Sequence, residues 1–294
     1  MSVLDSRTQL SLRKILFATD FSFCSATALR YCLSLSRRYG ATLYTVSVVP
    51  AEITYDVQPP DPFYLRHSAE NKIAELGDSE QFQGIKHLEF VEEGFNSVST
   101  VLLELIDRLE IDLIVLGTHG RSGIKKLVLG SVAEEILNRA PCAVLTIGPQ
   151  VPPKSASELK LRRILCAADL RPGSEKVLGC AVWLAKEQHA HLTLLHVLKM
   201  RIDAFCKQPE GEREFAMKQL VQLLPPETSA LVGHQCMLET GVPGERILRV
   251  AEDQAADLIL IGPHHTSHPR VSAHLPWAML HQVLCHARCP VLKV

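Results

Sequence analysis

Neither sign of charge is in excess in this chain: 31 Lys and Arg stand against 32 Asp and Glu, a formal charge of −1. A nucleic-acid partner would call for a basic balance, so none is expected. No apolar run reaches the roughly 20 residues that a bilayer-spanning helix needs, so no membrane partner is expected either. The first residues, MSVLDSRTQLSLRK, lack the apolar core of a signal peptide, which argues against secretion. The nine cysteines are odd in number and lack framework spacings. They read as reduced, mostly buried thiols of a cytoplasmic protein. What remains is a 47% hydrophobic chain of 294 residues, long enough for two domains with buried cores.

The chain repeats itself. RKILFATDFS from Arg13 returns as RRILCAADLR from Arg162, and GATLYTVSVVP from Gly40 as HAHLTLLHVLK from His189. LEIDLIVLGTHG from Leu109 is answered by QAADLILIGPHH from Gln254, and APCAVLTI from Ala140 by ARCPVLKV from Ala287. Blocks in one order, displaced by about 150 residues, describe a duplicated domain. The boundaries expected are 1–148 and 161–294, with the Pro- and Ser-containing stretch 149–160 as linker.

Within each copy the hydrophobic period alternates. KILFAT, ATLYTVSVV and IDLIVLG are short runs of buried-strand type. SATALRYCLSLSRRYG has helical spacing, a basic last turn and Gly40 as its C-cap, and VSTVLLELIDRLE repeats the helical pattern. The fold class expected is α/β: two tandem copies of a Rossmann-like, five-stranded parallel sheet covered by helices. Ligands of such sheets sit beyond the carboxyl ends of the strands at a topological switch point, which brings Asp20 and Gly117 together by rule.

Behind IDLIVL comes GTHGRSGIKKLVLGS, Gly117 to Ser131. It lacks the Lys-Ser/Thr pair of a P-loop and the Gly-x-Gly-x2-Gly spacing of a dinucleotide loop. Its glycines still permit close backbone approach, and exposed N–H groups favour anions. Gly130-Ser131 precedes the helix-like VAEEILNRA, whose N-terminal donors suit a phosphate, while Arg121, Lys125 and Lys126 add positive charge. A plain strand-to-helix connection with Ser131 as N-cap would account for the same residues.

Gly117-x2-Gly120-x9-Gly130-Ser131 resembles the nucleotide-binding motif of the universal stress protein family, in its ATP-binding branch. ILFATDFS is similar to that family's first strand and loop, DLIVLGTHGRSG to its fourth strand and loop, and SVAEEILNRAPCAVLTI to its last helix and strand. The resemblance spans both halves and implies a tandem member with an adenine nucleotide alpha hydrolase-like fold. It implies that Asp20 faces the nucleoside with Thr19 beside it, and that the backbone of Val48 reads adenine. Gly117 and Gly120 would lie along ribose and the first phosphates, with Arg121 as a neighbouring cation. Gly130, Ser131 and Val132 would hold the outer phosphates, with Mg²⁺ bound through them. Asp20 could instead cap the helix SFCSATAL, a role for which Ser22 competes. Val48 would be a core strand residue in either case.

The second copy keeps Asp169, Val197 and Gly262, but His265 stands where the first copy has Gly120. Trp277 and Ala278 align with Gly130 and Ser131, and Pro269 and Pro276 remove backbone donors. No phosphate site of the family type is expected there. Histidines 264, 265, 268, 274, 281 and 286 and cysteines 285 and 289 match no recognised ligand spacing, so no metal site is expected. His281 and Cys285 would share a helix face.

The function expected is a cytoplasmic stress-response protein that binds one ATP, or related adenine nucleotide, in its first half. It would act as a sensor or switch with at most slow hydrolysis, since no general base is evident. A nucleotide-free dimerising scaffold is one alternative. An ATP-pyrophosphatase or adenylating enzyme is another, though ATDFSFCS and AADLRPGS carry neither a Ser-Gly-Gly loop nor a His-x-x-His. The valine-rich last strands, CAVLTI and CPVLKV, make risky open edges. Their pairing would form an internal pseudo-dimer, with homodimers of whole chains as a further expectation.

Overall fold

The computed structural model describes residues 10, 12–50, 62–94, 97–120, 129–153, 160–171, 173–198, 210–224, 228, 233–262 and 274–294. The chain divides into two units, Ser11–Leu159 and a second comprising Lys160–Val294 with the first ten residues. Each carries one five-stranded parallel sheet, as the repeat implied.

In the first unit the strands are β1 (Lys14–Ala18), β2 (Thr42–Pro50), β3 (His87–Gly94), β4 (Leu113–Gly117) and β5 (Ala143–Ile147). The helices are α1 (Phe23–Tyr39), α2 (Pro62–Gly77), α3 (Val98–Leu109) and α4 (Ser131–Arg139). The strand order β3-β2-β1-β4-β5 puts β1 between β2 and β4, in registers Ile15↔Leu43 and Ile15↔Leu113. Ile15, Leu16 and Phe17, and likewise Leu113 through Leu116, are buried at consecutive positions, so both faces of these strands are covered.

The second unit repeats this with β6 (Arg163–Ala167), β7 (His191–Leu198), β8 (His234–Thr240), β9 (Leu258–Ile261) and β10 (Val291–Lys293). Its helices are α5 (Glu175–Gln188), α6 (Glu210–Gln222), α7 (Pro243–Asp253) and α8 (His274–His286), and its strand order is β8-β7-β6-β9-β10.

The repeated residues have repeated work. Asp112 Oδ2 accepts from the backbone N–H groups of Arg13 and Lys14, both at 2.9 Å. Asp257 Oδ2 accepts in the same way from Arg162 and Arg163, at 2.9 and 3.1 Å. One carboxylate thus fastens the start of the first strand to the start of the fourth in both copies. Helix α1 is bounded as its sequence requires. The Ser22 hydroxyl accepts from Ser25 N at its start, and Gly40 at φ 63° donates back to Ser36 O at its end.

Candidate functional site

In the first sheet the chain leaves β1 toward β2 on one side, while β4 lies on the other, so the switch point falls between β1 and β4. Asp20 and Gly117–Gly120 follow directly on those two strands, and the structure makes them neighbours: a Cβ built on Gly120 would lie 3.0 Å from Asp20 Oδ2.

The turn after β1 is built from its own side chains. Thr19 is buried, its backbone N–H donates to Val46 O at 2.9 Å, and its hydroxyl donates to Ser25 Oγ at 3.2 Å. That hydroxyl also accepts from Phe21 N at 3.0 Å, and Asp20 Oδ1 accepts from Ser22 N at 3.0 Å. These bonds hold Phe21 at φ 61°, a left-handed conformation that a bulky residue adopts only when its surroundings impose it. Asp20 is therefore not the cap of α1; Ser22 is, and one Asp20 oxygen serves the turn that leads into it.

Ser22 also donates to His119 O at 3.3 Å, which ties the β1 turn to the loop after β4. Beyond β4, Thr118 N donates to Ile147 O at 3.0 Å and Gly130 N donates to Thr118 O at 2.9 Å. The start of α4 is thereby drawn to the end of β4. Gly130 is the N-cap of α4 and makes no side-chain cap bond, so Ser131 is the first helical residue rather than the cap. Ser131 is exposed, and Gly130 and Val132 are half-buried. Val48 pairs with Glu92 near the end of β2 and is half-buried, not a core residue as expected, because it lies where the sheet opens toward solvent. Arg121, Lys125 and Lys126 lie outside the described residues.

Gly117 has a packing reason to be glycine. A Cβ there would meet Cys24 Cβ at 2.8 Å and Ser25 N at 3.0 Å, so the end of β4 abuts the first turn of α1. Gly262 repeats this against Val177 Cγ1 at 3.0 Å on α5. That glycine survives in the copy whose loop has changed, as a structural requirement would have it. Burial raises the Cys24 thiol, His119's backbone draws it down and the Asp20 carboxylate pushes it up again, leaving a protonated thiol beneath the site.

The second unit is arranged differently at the matching positions. Asp169 is held by an Arg171 ion pair, with Arg171 Nε donating to Asp169 Oδ2 at 2.6 Å. Helix α8 starts at His274, so Trp277 and Ala278, the counterparts of Gly130 and Ser131, sit inside a helix rather than at its N-terminus. His264, His265, His268 and Pro269 lie outside the described residues. His281 and Cys285 do share a face, with Sγ 4.0 Å from each ring nitrogen. Among the described residues no group of three or more His, Cys, Asp or Glu could hold a metal ion, and no helix could cross a membrane.

The sequence offers Ser22 only as a competing cap and gives no signal for Thr118 or His119. The Ser22–His119 bond is made across 97 residues of chain, a distance over which spacing carries no signal.

Comparison with known proteins gives one answer for both halves. The model of the universal stress protein family matches residues 11–148 and again 160–294. A universal stress protein of Methanocaldococcus jannaschii is 27% identical over 144 residues, covering 46% of this chain and 81% of that protein. A putative universal stress protein of Staphylococcus aureus is 27% identical over 143 residues, covering 47% and 85%. The crystal structure of a universal stress protein from Archaeoglobus fulgidus aligns with a TM-score of 0.73 over 97% of both chains, at 18% identity, a likeness of fold.

Proposed function

Because this chain belongs to the universal stress protein family, we propose that its first unit binds ATP, or a related adenine nucleotide, and works as a sensor or switch with at most slow hydrolysis. A stress-related role follows from the family. What supports a nucleotide in particular is the convergence at the switch point of an acidic residue, a glycine close beside it, and a helix N-terminus. A carboxylate repels phosphate, so Asp20 suits the hydroxyl-bearing nucleoside. The phosphates belong toward Gly130, Ser131 and Val132, where amide donors and the helix dipole favour negative charge. Mg²⁺ would be bound through those phosphates.

Mass spectrometry of small molecules released from the purified chain, followed by calorimetric titration with Mg²⁺-ATP, tests the reading. A bound adenine nucleotide and a stoichiometry near one support it; no binding at millimolar ATP returns the chain to the scaffold alternative. The expected pairing of the two copies across their valine-rich last strands belongs to the same proposal. It is tested by whether halves separated at the linker associate with each other.

A further inference from the structure

We infer that Ser22 is a positioning residue for the glycine loop. Its hydroxyl faces two ways, accepting from Ser25 N at 3.3 Å and donating to His119 O at 3.3 Å. The first bond starts α1; the second fastens the loop after β4 to that start. His119 directly precedes Gly120, whose α-carbon faces Asp20 Oδ2, so the Ser22–His119 bond sets how closely Gly120 approaches the carboxylate. Without it, the β1 turn and the β4 loop lose a side-chain bond that joins them at the switch point.

The second unit supplies the comparison within one chain. In the alignment of RKILFATDFS with RRILCAADLR, Arg171 replaces Ser22 and Ala168 replaces Thr19. Arg171 turns back onto Asp169 and contributes no cap. Helix α5 starts three positions later than α1, and its N-cap Ser174 makes no side-chain cap bond. The Ser174 hydroxyl donates instead to Asp169 O, within its own turn. The copy that has His265 in place of the second loop glycine also has Arg171 in place of the serine, so the two positions change together.

The inference deepens the nucleotide reading, and its test separates the two. Amide exchange over Leu113–Gly120 is measured in the full chain without nucleotide, for Ser22→Ala, Ser22→Asp and Ser22→Thr. Aspartate keeps the cap acceptor but has no donor for His119 O, while threonine keeps both. Ser22→Ala and Ser22→Asp are expected to speed exchange at Thr118–Gly120 by about threefold to tenfold, the worth of one hydrogen bond, with Ser22→Thr near wild type. ATP affinity should fall by a similar factor in Ser22→Ala and recover in Ser22→Thr. Wild-type exchange in Ser22→Asp would overturn the inference, leaving Ser22 a cap alone. A wild-type chain that binds no ATP, yet shows the exchange pattern, would remove the nucleotide reading and uphold the latch.

Discussion

Replacing Gly117 by alanine separates a glycine kept for packing from one kept for a ligand. The new methyl would sit 2.8 Å from Cys24 Cβ, 3.0 Å from Ser25 N and 3.1 Å from Cys24 C, and two of these three atoms are backbone in the first turn of α1. Backbone in a capped helix yields little, so the cost is that of an overpacked core, about 1–3 kcal/mol. For a unit of about 150 residues each kcal/mol is worth about 2–4 °C, which predicts a melting temperature lower by about 2–12 °C. At Gly262 the methyl meets, among the described residues, side-chain atoms of Val177 at 3.0 and 3.5 Å, so Gly262→Ala should cost less. Both tryptophans, Trp183 and Trp277, belong to the second unit. Tryptophan fluorescence therefore follows that unit, and far-ultraviolet circular dichroism follows both. Gly117→Ala should lower the circular-dichroism transition, and shift the fluorescence transition of the second unit by less. A Gly117→Ala protein with unchanged melting but lost ATP affinity would refute the packing argument and make Gly117 a ligand contact.

Titration with Mg²⁺-ATP should give one site per chain; two equivalent sites would show that the α8 region of the second unit still accepts phosphate. Gly130→Trp should abolish binding while circular dichroism stays native, because Gly130 is a half-buried N-cap at φ −64°, a conformation open to any residue; normal binding would place the ligand elsewhere. Burial raises the thiols of Cys142 to about 11 and Cys180 to about 12, so in the folded chain they stay protonated after unfolded thiols have ionised. Their contribution is complete below about pH 9 and is lost as pH rises toward 11–12, so urea midpoints should fall between about pH 8 and about pH 10.5, less steeply in Cys142→Ala. Dialysis against zinc should leave less than one metal per chain, since His281 and Cys285 supply only two ligands.

The buried strands were plain in the sequence because both of their faces are apolar. KILFA, LIVLG and AVLTI fall where their hydrophobic runs predict, as do Gly40 at the end of α1 and the five-stranded parallel sheets. Strands β3 and β8 left no such trace. HLEFVEEG and HQCMLET lie at the outer ends of their sheets, where half-exposure admits Glu, Gln and His and blurs the period. At the candidate site, Asp20 and Gly120 were readable from strand ends and a motif spacing. The work of Gly117 was not, because it depends on how close α1 comes, and the double bonding of Ser22 depends on a carbonyl far along the chain.

The outer position of β3 has a consequence for salt. Glu93 pairs with Arg66 of α2 at 2.6 Å, while the adjacent Glu92 pairs with Arg108 of α3 at 3.1 Å, so alternate residues fasten the strand to a helix on each face. These are solvent-facing pairs, each worth at most about 1 kcal/mol, and added salt weakens them within a Debye length of about 10 Å at 0.1 M. Strands β1 and β4 are held by buried apolar contact that such screening leaves alone. Raising ionic strength should therefore loosen this protein from its rim inward, with fraying at β3 while the strands beside Asp20 and Gly120 keep their order.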